Sequence, residues 1–144
     1  MAFLAVLLSF VFALVGAVHV LWALRVWWPI RDEARLAQTV VGTPGITRMP
    51  ASWLTMVVVG AVAVGMAWIA MLAGWVAAPV PVWLVTTGGA VMAAILLVRG
   101  TATYVAPLFG ASAAPAFTRL DRRFYAPLIL ALGTGVALLT LSYT

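Results

Sequence analysis

Few residues in this chain can do chemistry, and most of them crowd into two stretches. His19 is the only histidine and lies six residues before Arg25, so about 9 Å inside the end of any helix that Arg25 closes. The stretch Thr118-Arg119-Leu120-Asp121-Arg122-Arg123-Phe124-Tyr125-Ala126-Pro127 carries three of the eight arginines and one of the three carboxylates. An ionisable side chain within an apolar segment is by default a functional candidate. Its structural alternative is a neutral imidazole making one interhelical hydrogen bond, with Trp22 one turn on. Arginine's planar fork pairs bidentately with phosphate or carboxylate, so Arg99, Arg119, Arg122 and Arg123, with Asp121 and Tyr125, could line a polar mouth. Their structural alternative is to set membrane topology among lipid headgroups. Asp121 has one of its own, because Thr118-x-x-Asp121 matches a capping box for a short interfacial helix.

Conventional catalysis finds little material. There is no cysteine, which excludes disulfides, thiolate metal sites and thiol nucleophiles. Asp32 and Glu33 are adjacent, and successive helical residues do not face each other as an acid/base pair must. Ser9, Ser52, Ser112 and Ser142 have no histidine near them in sequence. One histidine cannot hold a haem from both faces, and the spacing of Met49 and Met56 gives no support for a mixed ligand pair. No cofactor and no metal are expected. A proton-coupled carrier is disfavoured too, because no carboxylate falls inside an apolar segment.

The elements that must position these residues follow from composition. Of 144 residues, 66% are hydrophobic and only 8% charged, and mean hydropathy is +1.19. Such a chain cannot build the polar shell of a soluble domain. It reads as one all-α, integral membrane domain over residues 1–144, a four-helix bundle with helices at about 2–24, 53–77, 82–98 and 124–143. The first apolar run lacks a basic leader and is longer than a signal core, so it is expected to be retained. Small residues recur every seven positions on helix 1 (Ala2, Ser9, Gly16, Ala23), with Ala5, Phe12 and His19 in the companion position. Helix 2 repeats the pattern with Trp53, Gly60, Ala67 and Gly74, and again with Met56, Ala63, Ala70 and Ala77. Such stripes suggest close packing seams.

Between the helices, residues from Ile30 to Gln38 read as a short interfacial helix, and Ser52 as a cap for helix 2. Pro79-Val80-Pro81 predicts a tight hairpin that makes helices 2 and 3 antiparallel neighbours. Arg99-Gly100 should end helix 3, and Pro127 should sit in the first turn of helix 4.

Every positive charge is an arginine. Arg25, Arg31, Arg35 and Arg48 flank the first loop, and Arg99, Arg119, Arg122 and Arg123 the third, while the second loop and both termini have none. An up-down-up-down course puts both arginine loops on one side, and the positive-inside rule makes that side cytoplasmic, with both termini outward. In so apolar a chain the positive balance argues for anionic lipid headgroups as partners, and against nucleic acid.

The combination of His19-Val20-Leu21-Trp22-Ala23, Arg99, Tyr104-Val105 and Arg119-Leu120-Asp121-Arg122-Arg123-Phe124-Tyr125-Ala126-Pro127 resembles a bacterial family of small four-helix membrane proteins catalogued as a domain of unknown function. The resemblance implies a four-helix bundle in the bacterial inner membrane and supplies no reaction, cofactor or partner. In the family pattern the stretch before the Tyr-Val pair is longer and more charged. Here Gly100-Thr101-Ala102-Thr103 is neutral, which argues against a charge-dense site at the end of helix 3. The matching residues nominated for a ligand site are His19, Trp22, Arg99, Asp121, Arg123 and Tyr125. The leading expectation is a non-enzymatic accessory subunit that contacts a partner membrane protein or a second copy of itself. The alternative is a binding protein or enzyme for an amphipathic, anionic small molecule held near His19, Arg99 and Asp121. A small transporter ranks third.

Overall fold

The computed structural model describes residues 1–143. It is all-α: α1 (Ala2–Ala23), α2 (Glu33–Val40), α3 (Ser52–Leu72), α4 (Val82–Val105), α5 (Pro115–Leu120) and α6 (Ala126–Ser142). A 3₁₀ turn, Ala106–Phe109, extends α4, and a π-helical turn, Asp121–Tyr125, joins α5 to α6 in one helical rod. Among the described residues four helices are long and apolar enough to cross a membrane: Ala2–Ala23, Ser52–Leu72, Val82–Phe109 and Pro115–Ser142.

Backbone chemistry decides where these helices stop. Beyond α3, Gly74 takes φ +71°, its N–H bonds Met71 O, and Trp75 N–H bonds Ala70 O. This pattern satisfies the last carbonyls of a helix and needs a left-handed residue after it, a position glycine fills without strain. The helix expected to reach residue 77 therefore ends at Leu72, and the connection to α4 is longer than the Pro79–Pro81 hairpin. Arg25 does the same for α1 with φ 62°, bonding Trp22 O while Val26 bonds Leu21 O. An arginine pays a steric cost there of roughly 1 kcal/mol. Its ion pair with Glu33 (3.5 Å) and its stacking over Trp27 (5.6 Å) hold it in place.

Two helix limits fall elsewhere than the sequence suggests. Arg99-Gly100 does not end the third span. Gly100 is buried in mid-helix because Leu130 occupies the space its side chain would need. The last span begins at Pro115 rather than near residue 124, while α6 itself opens at Ala126 with Pro127 in its first turn, as expected. Two caps also differ. Ser52 is the first residue of α3 and makes no cap hydrogen bond, whereas Asp32 caps α2 by accepting from Arg35 N at 2.7 Å. The capping box at Thr118 and Asp121 does not form: Thr118 Oγ1 bonds Ala114 O at 3.2 Å, and Asp121 turns elsewhere.

Packing runs mainly between α1 and α3 and between α4 and α6, with lighter contact across the α3–α4 connection. The core gathers Ala5, Leu8, Phe12, Ile69, Leu72, Val85, Leu132, Val136 and Leu139. On α1 the Ala5–Phe12 position packs inward, and of the Ala2–Ala23 stripe Ala23 is buried and Gly16 lies close against Val62, while Ala2 is exposed. On α3 neither expected stripe packs inward: Trp53, Gly60, Ala67 and Gly74 are all exposed, as are Met56 and Ala63. The ring of Phe12 needs a hole, and Gly65 supplies it. Ile69 and Leu72, one and two turns on, then define the buried face.

The first and third connections meet at one end of the bundle. Ala114 N donates to Gly42 O at 2.8 Å, and the Phe117 ring lies over Gly42 where any larger residue would collide with it. With φ +81° there as well, only glycine serves without strain. Below this clasp α2 packs its Leu36 and Ala37 against Met49, Trp22 and Ile30 in a small second core.

Candidate functional site

At the clasped end the helices part around a cavity of about 700 Å³. α1 contributes Phe12, Val15, Val18, His19 and Trp22, α2 contributes Leu36 and Thr39, and α4 contributes Leu96 and Arg99. The opposite wall is Phe117, Leu120, Tyr125, Leu128 and Leu132 from the last rod. The lining is apolar apart from a few groups. Four of the six residues nominated from sequence, His19, Trp22, Arg99 and Tyr125, thus share one space.

Arg99 stands in mid-helix because α4 continues past it, so Thr103, four residues on, falls on the same face. Its guanidinium straddles the carboxylate of Asp121: Nη2 lies 3.0 Å from Oδ1 and Nη1 3.5 Å from Oδ2. Thr103 Oγ1 donates to Asp121 Oδ2 at 2.7 Å and accepts from Arg99 Nη1 at 2.8 Å. The Asp121 side chain is only 6% exposed and that of Arg99 43%. The carboxylate is therefore the buried partner and depends on the arginine, since an unpaired buried charge is strongly destabilising. Asp121 does not line the large cavity. It faces a second groove of about 460 Å³ with Thr103, Ser112, Thr118 and Arg122, and Arg99 and Phe117 line both spaces.

The π-helical turn sets the geometry around Asp121. A proline within a helix clashes with the carbonyl four residues back and has no N–H to give. Here the chain widens by one residue ahead of Pro127, and Ala126 N–H bonds Asp121 O, five residues back. The next carbonyl in that register belongs to Arg122, and Pro127 cannot serve it. Tyr104 of α4 does so instead, its hydroxyl donating to Arg122 O at 2.9 Å. Two ties, Arg99 to Asp121 and Tyr104 to Arg122, thus fasten the widened turn to α4.

His19 Nδ1 lies 2.8 Å from Val15 O. A carbonyl only accepts, so Nδ1 carries a proton, and in the neutral ring Nε2 holds the lone pair. Among the described residues Nε2 has no hydrogen-bond partner, yet no enclosed side-chain nitrogen or oxygen goes unpaired. Nε2 therefore borders open space. The same reasoning applies to the Tyr125 hydroxyl, whose ring packs 6.2 Å from that of Phe117. Trp22 lies tilted against His19 with ring centroids 5.0 Å apart, and its indole N–H is committed to Trp28 O at 2.8 Å. Arg123 stands apart from both spaces, its guanidinium lying over the Phe124 ring at 5.4 Å. Asp32 and Glu33 are occupied as well, Asp32 as the cap of α2 and Glu33 holding Met49 N at 3.0 Å. Among the described residues no three His, Asp or Glu side chains gather as a metal would require.

Sequence reasoning did not nominate Thr103 or Phe117, and it marked Tyr104 only as part of the family motif, without a role. The first had a usable signal, a hydroxyl one helical turn from an arginine. The other two depend on what Pro127 and Gly42 need from a distant segment, which no local pattern reveals.

No match is found among curated proteins or solved structures. Residues 12–136 match the model of a family described as "Protein of unknown function (DUF3995)", an interval that spans His19, both connections that form the clasp, and the Arg99–Asp121 pair. The chain belongs to that family.

Proposed function

We propose that this protein is a membrane-embedded binding protein for an amphipathic small molecule. The apolar body of the ligand fills the large cavity, and its polar head meets His19, Arg99 and Tyr125. The observation that carries this reading is the cavity itself, about 700 Å³ with apolar walls and five hydrogen-bonding side chains on its lining, of which Trp22 and Thr39 are committed to backbone carbonyls. Small-molecule sites commonly take that form, with a few polar groups fixing orientation. Asp121 serves as the partner that keeps Arg99 in position. Arg123, lying outside both spaces, belongs with the exposed Arg31, Arg35, Arg48, Arg119 and Arg122, which meet anionic headgroups. Binding is favoured over catalysis because the hydroxyl–carboxylate pair that is present, Thr103 with Asp121, is closed by Arg99 and lies outside the large cavity.

The bundle runs up-down-up-down through a bacterial inner membrane, with the clasped arginine end cytoplasmic and both termini outward. The direct contact of the first and third connections and the arginine distribution support that course. Extraction of purified protein, followed by mass spectrometry, tests the binding reading. An amphiphile should be retained by the native chain and lost from Leu128→Trp, which fills the cavity. Equal recovery from both would overturn it.

A second reading, the accessory subunit, has its own support. Gly60, Ala63 and Ala67 form a small-residue strip on the outside of α3, open to a partner helix or a second copy. The chain has no native cysteine, so an Ala67→Cys variant that forms no crosslink in native membranes would dismiss this reading.

A further inference from the structure

The proposed ligand has a head whose charge can be read from the partners of Arg99, an inference that rests on the binding reading above. A lone arginine in an apolar cavity would call for an anion, and the sequence alone suggests one. Arg99, however, is already neutralised. Asp121 takes both arms of its guanidinium, and Thr103 closes the ring. An incoming phosphate or carboxylate would either displace Asp121, stranding a carboxylate with a 6% exposed side chain, or share the guanidinium and sit beside that carboxylate as a second negative charge. Both steps are unfavourable, the first by loss of a buried partner and the second by like-charge repulsion. What remains for a ligand is hydrogen bonding without net charge. His19 Nε2 offers a lone pair with no partner among the described residues, the Tyr125 hydroxyl can give or accept, and Arg99 has further N–H groups to donate.

We infer that the ligand is an uncharged amphiphile with a hydroxyl head, a long-chain alcohol in chemical class, and that His19 selects it by accepting a hydrogen bond from the hydroxyl at Nε2. A hydroxyl donates and accepts at once, so it can give its hydrogen to His19 Nε2 and accept from a second donor on the lining, Tyr125 or Arg99. A ketone or ester carbonyl would leave Nε2 unanswered, and burying an unanswered polar group costs affinity. Trp22 and the Val15 carbonyl fix the imidazole from the other side, so the ring cannot turn Nδ1 to the ligand without losing its own bond.

The test compares two probes of equal chain length, diazirine-tagged hexadecanol and its phosphate ester. Each is titrated against the full-length protein in nanodiscs, and labelled peptides are mapped by mass spectrometry. Hexadecanol should saturate labelling of α1 and of the Arg99 peptide at about tenfold lower concentration than the phosphate. His19→Phe should abolish that preference, and His19→Gln, which keeps an acceptor, should retain part of it. If the phosphate saturates at an equal or lower concentration, the uncharged-head inference falls while the cavity stands as a binding site. If hexadecanol is preferred but His19→Phe leaves it unchanged, the role of His19 falls. If neither probe labels these peptides, the binding reading falls and takes this inference with it. The comparison on native protein needs no variant to fold.

Discussion

The two ends of the bundle are filled in opposite ways. Around the N-terminus of α1, Leu8, Ile69, Val85, Val136 and Leu139 close on one another, none more than 3% exposed. At the clasped end the same four helices part around the cavity, and the ties between α4 and the last rod are an ion pair and two hydroxyl hydrogen bonds. In lipid, apolar contact between helices gains nothing over contact with acyl chains, so close fit must hold a bundle together. The tight end supplies that fit through glycines such as Gly65 and Gly89, each with a neighbour's side chain against it. The open end trades it for directional bonds, which keep a shape while leaving room inside. One half is built to stay shut, the other to hold a space.

Breaking the tight end should have the larger effect. Ile69→Ala removes a fully buried side chain and should lower stability by about 3 kcal/mol, read from unfolding in mixed micelles. Asp121→Ala should cost about 2 kcal/mol, a buried pair broken but discounted because Arg99 is half-exposed. A double-mutant cycle with Arg99→Ala sharpens the comparison: the pair should recover part of the loss, whereas strict additivity would show that the ties at this end act independently. Tyr104→Phe deletes a single hydroxyl and leaves Arg122 O unserved, so a loss of about 1 kcal/mol is expected. If Tyr104→Phe proves as damaging as Ile69→Ala, the division between a packed end and a tied end is wrong.

Much of this was legible along the chain. Hydropathy marked four spans, and the arginines marked two connections that do come together. Arg99, Asp121 and His19 stood out because charge is rare in so apolar a sequence. What stayed hidden depended on a second segment. Gly100 reads as a helix stop until Leu130 is seen against it. Pro127 does mark the first turn of α6, but that the rod continues above it, with Tyr104 serving the Arg122 carbonyl, is not visible in sequence. The small-residue stripes of α3 misled because Ala and Gly are frequent there, and the stripe that packs is chosen by the one large ring, Phe12, that needs a gap. A cavity has no signature in sequence at all, being what several helices fail to fill.

The widened turn at Asp121–Tyr125 gives the last rod two phases. An α-helix advances roughly 100° per residue, and one extra residue in a turn offsets everything upstream by about that angle. Pro115–Leu120 and Ala126–Ser142 are therefore one rod with two independent headings, α6 aimed by Val136 and Leu139 into the packed half, α5 aimed by Phe117 onto Gly42. Shortening the turn by one residue would leave the lower heading intact and swing Phe117 about a quarter-circle off its seat. The upper heading can thus be retuned by a single insertion or deletion, without disturbing a residue of the core.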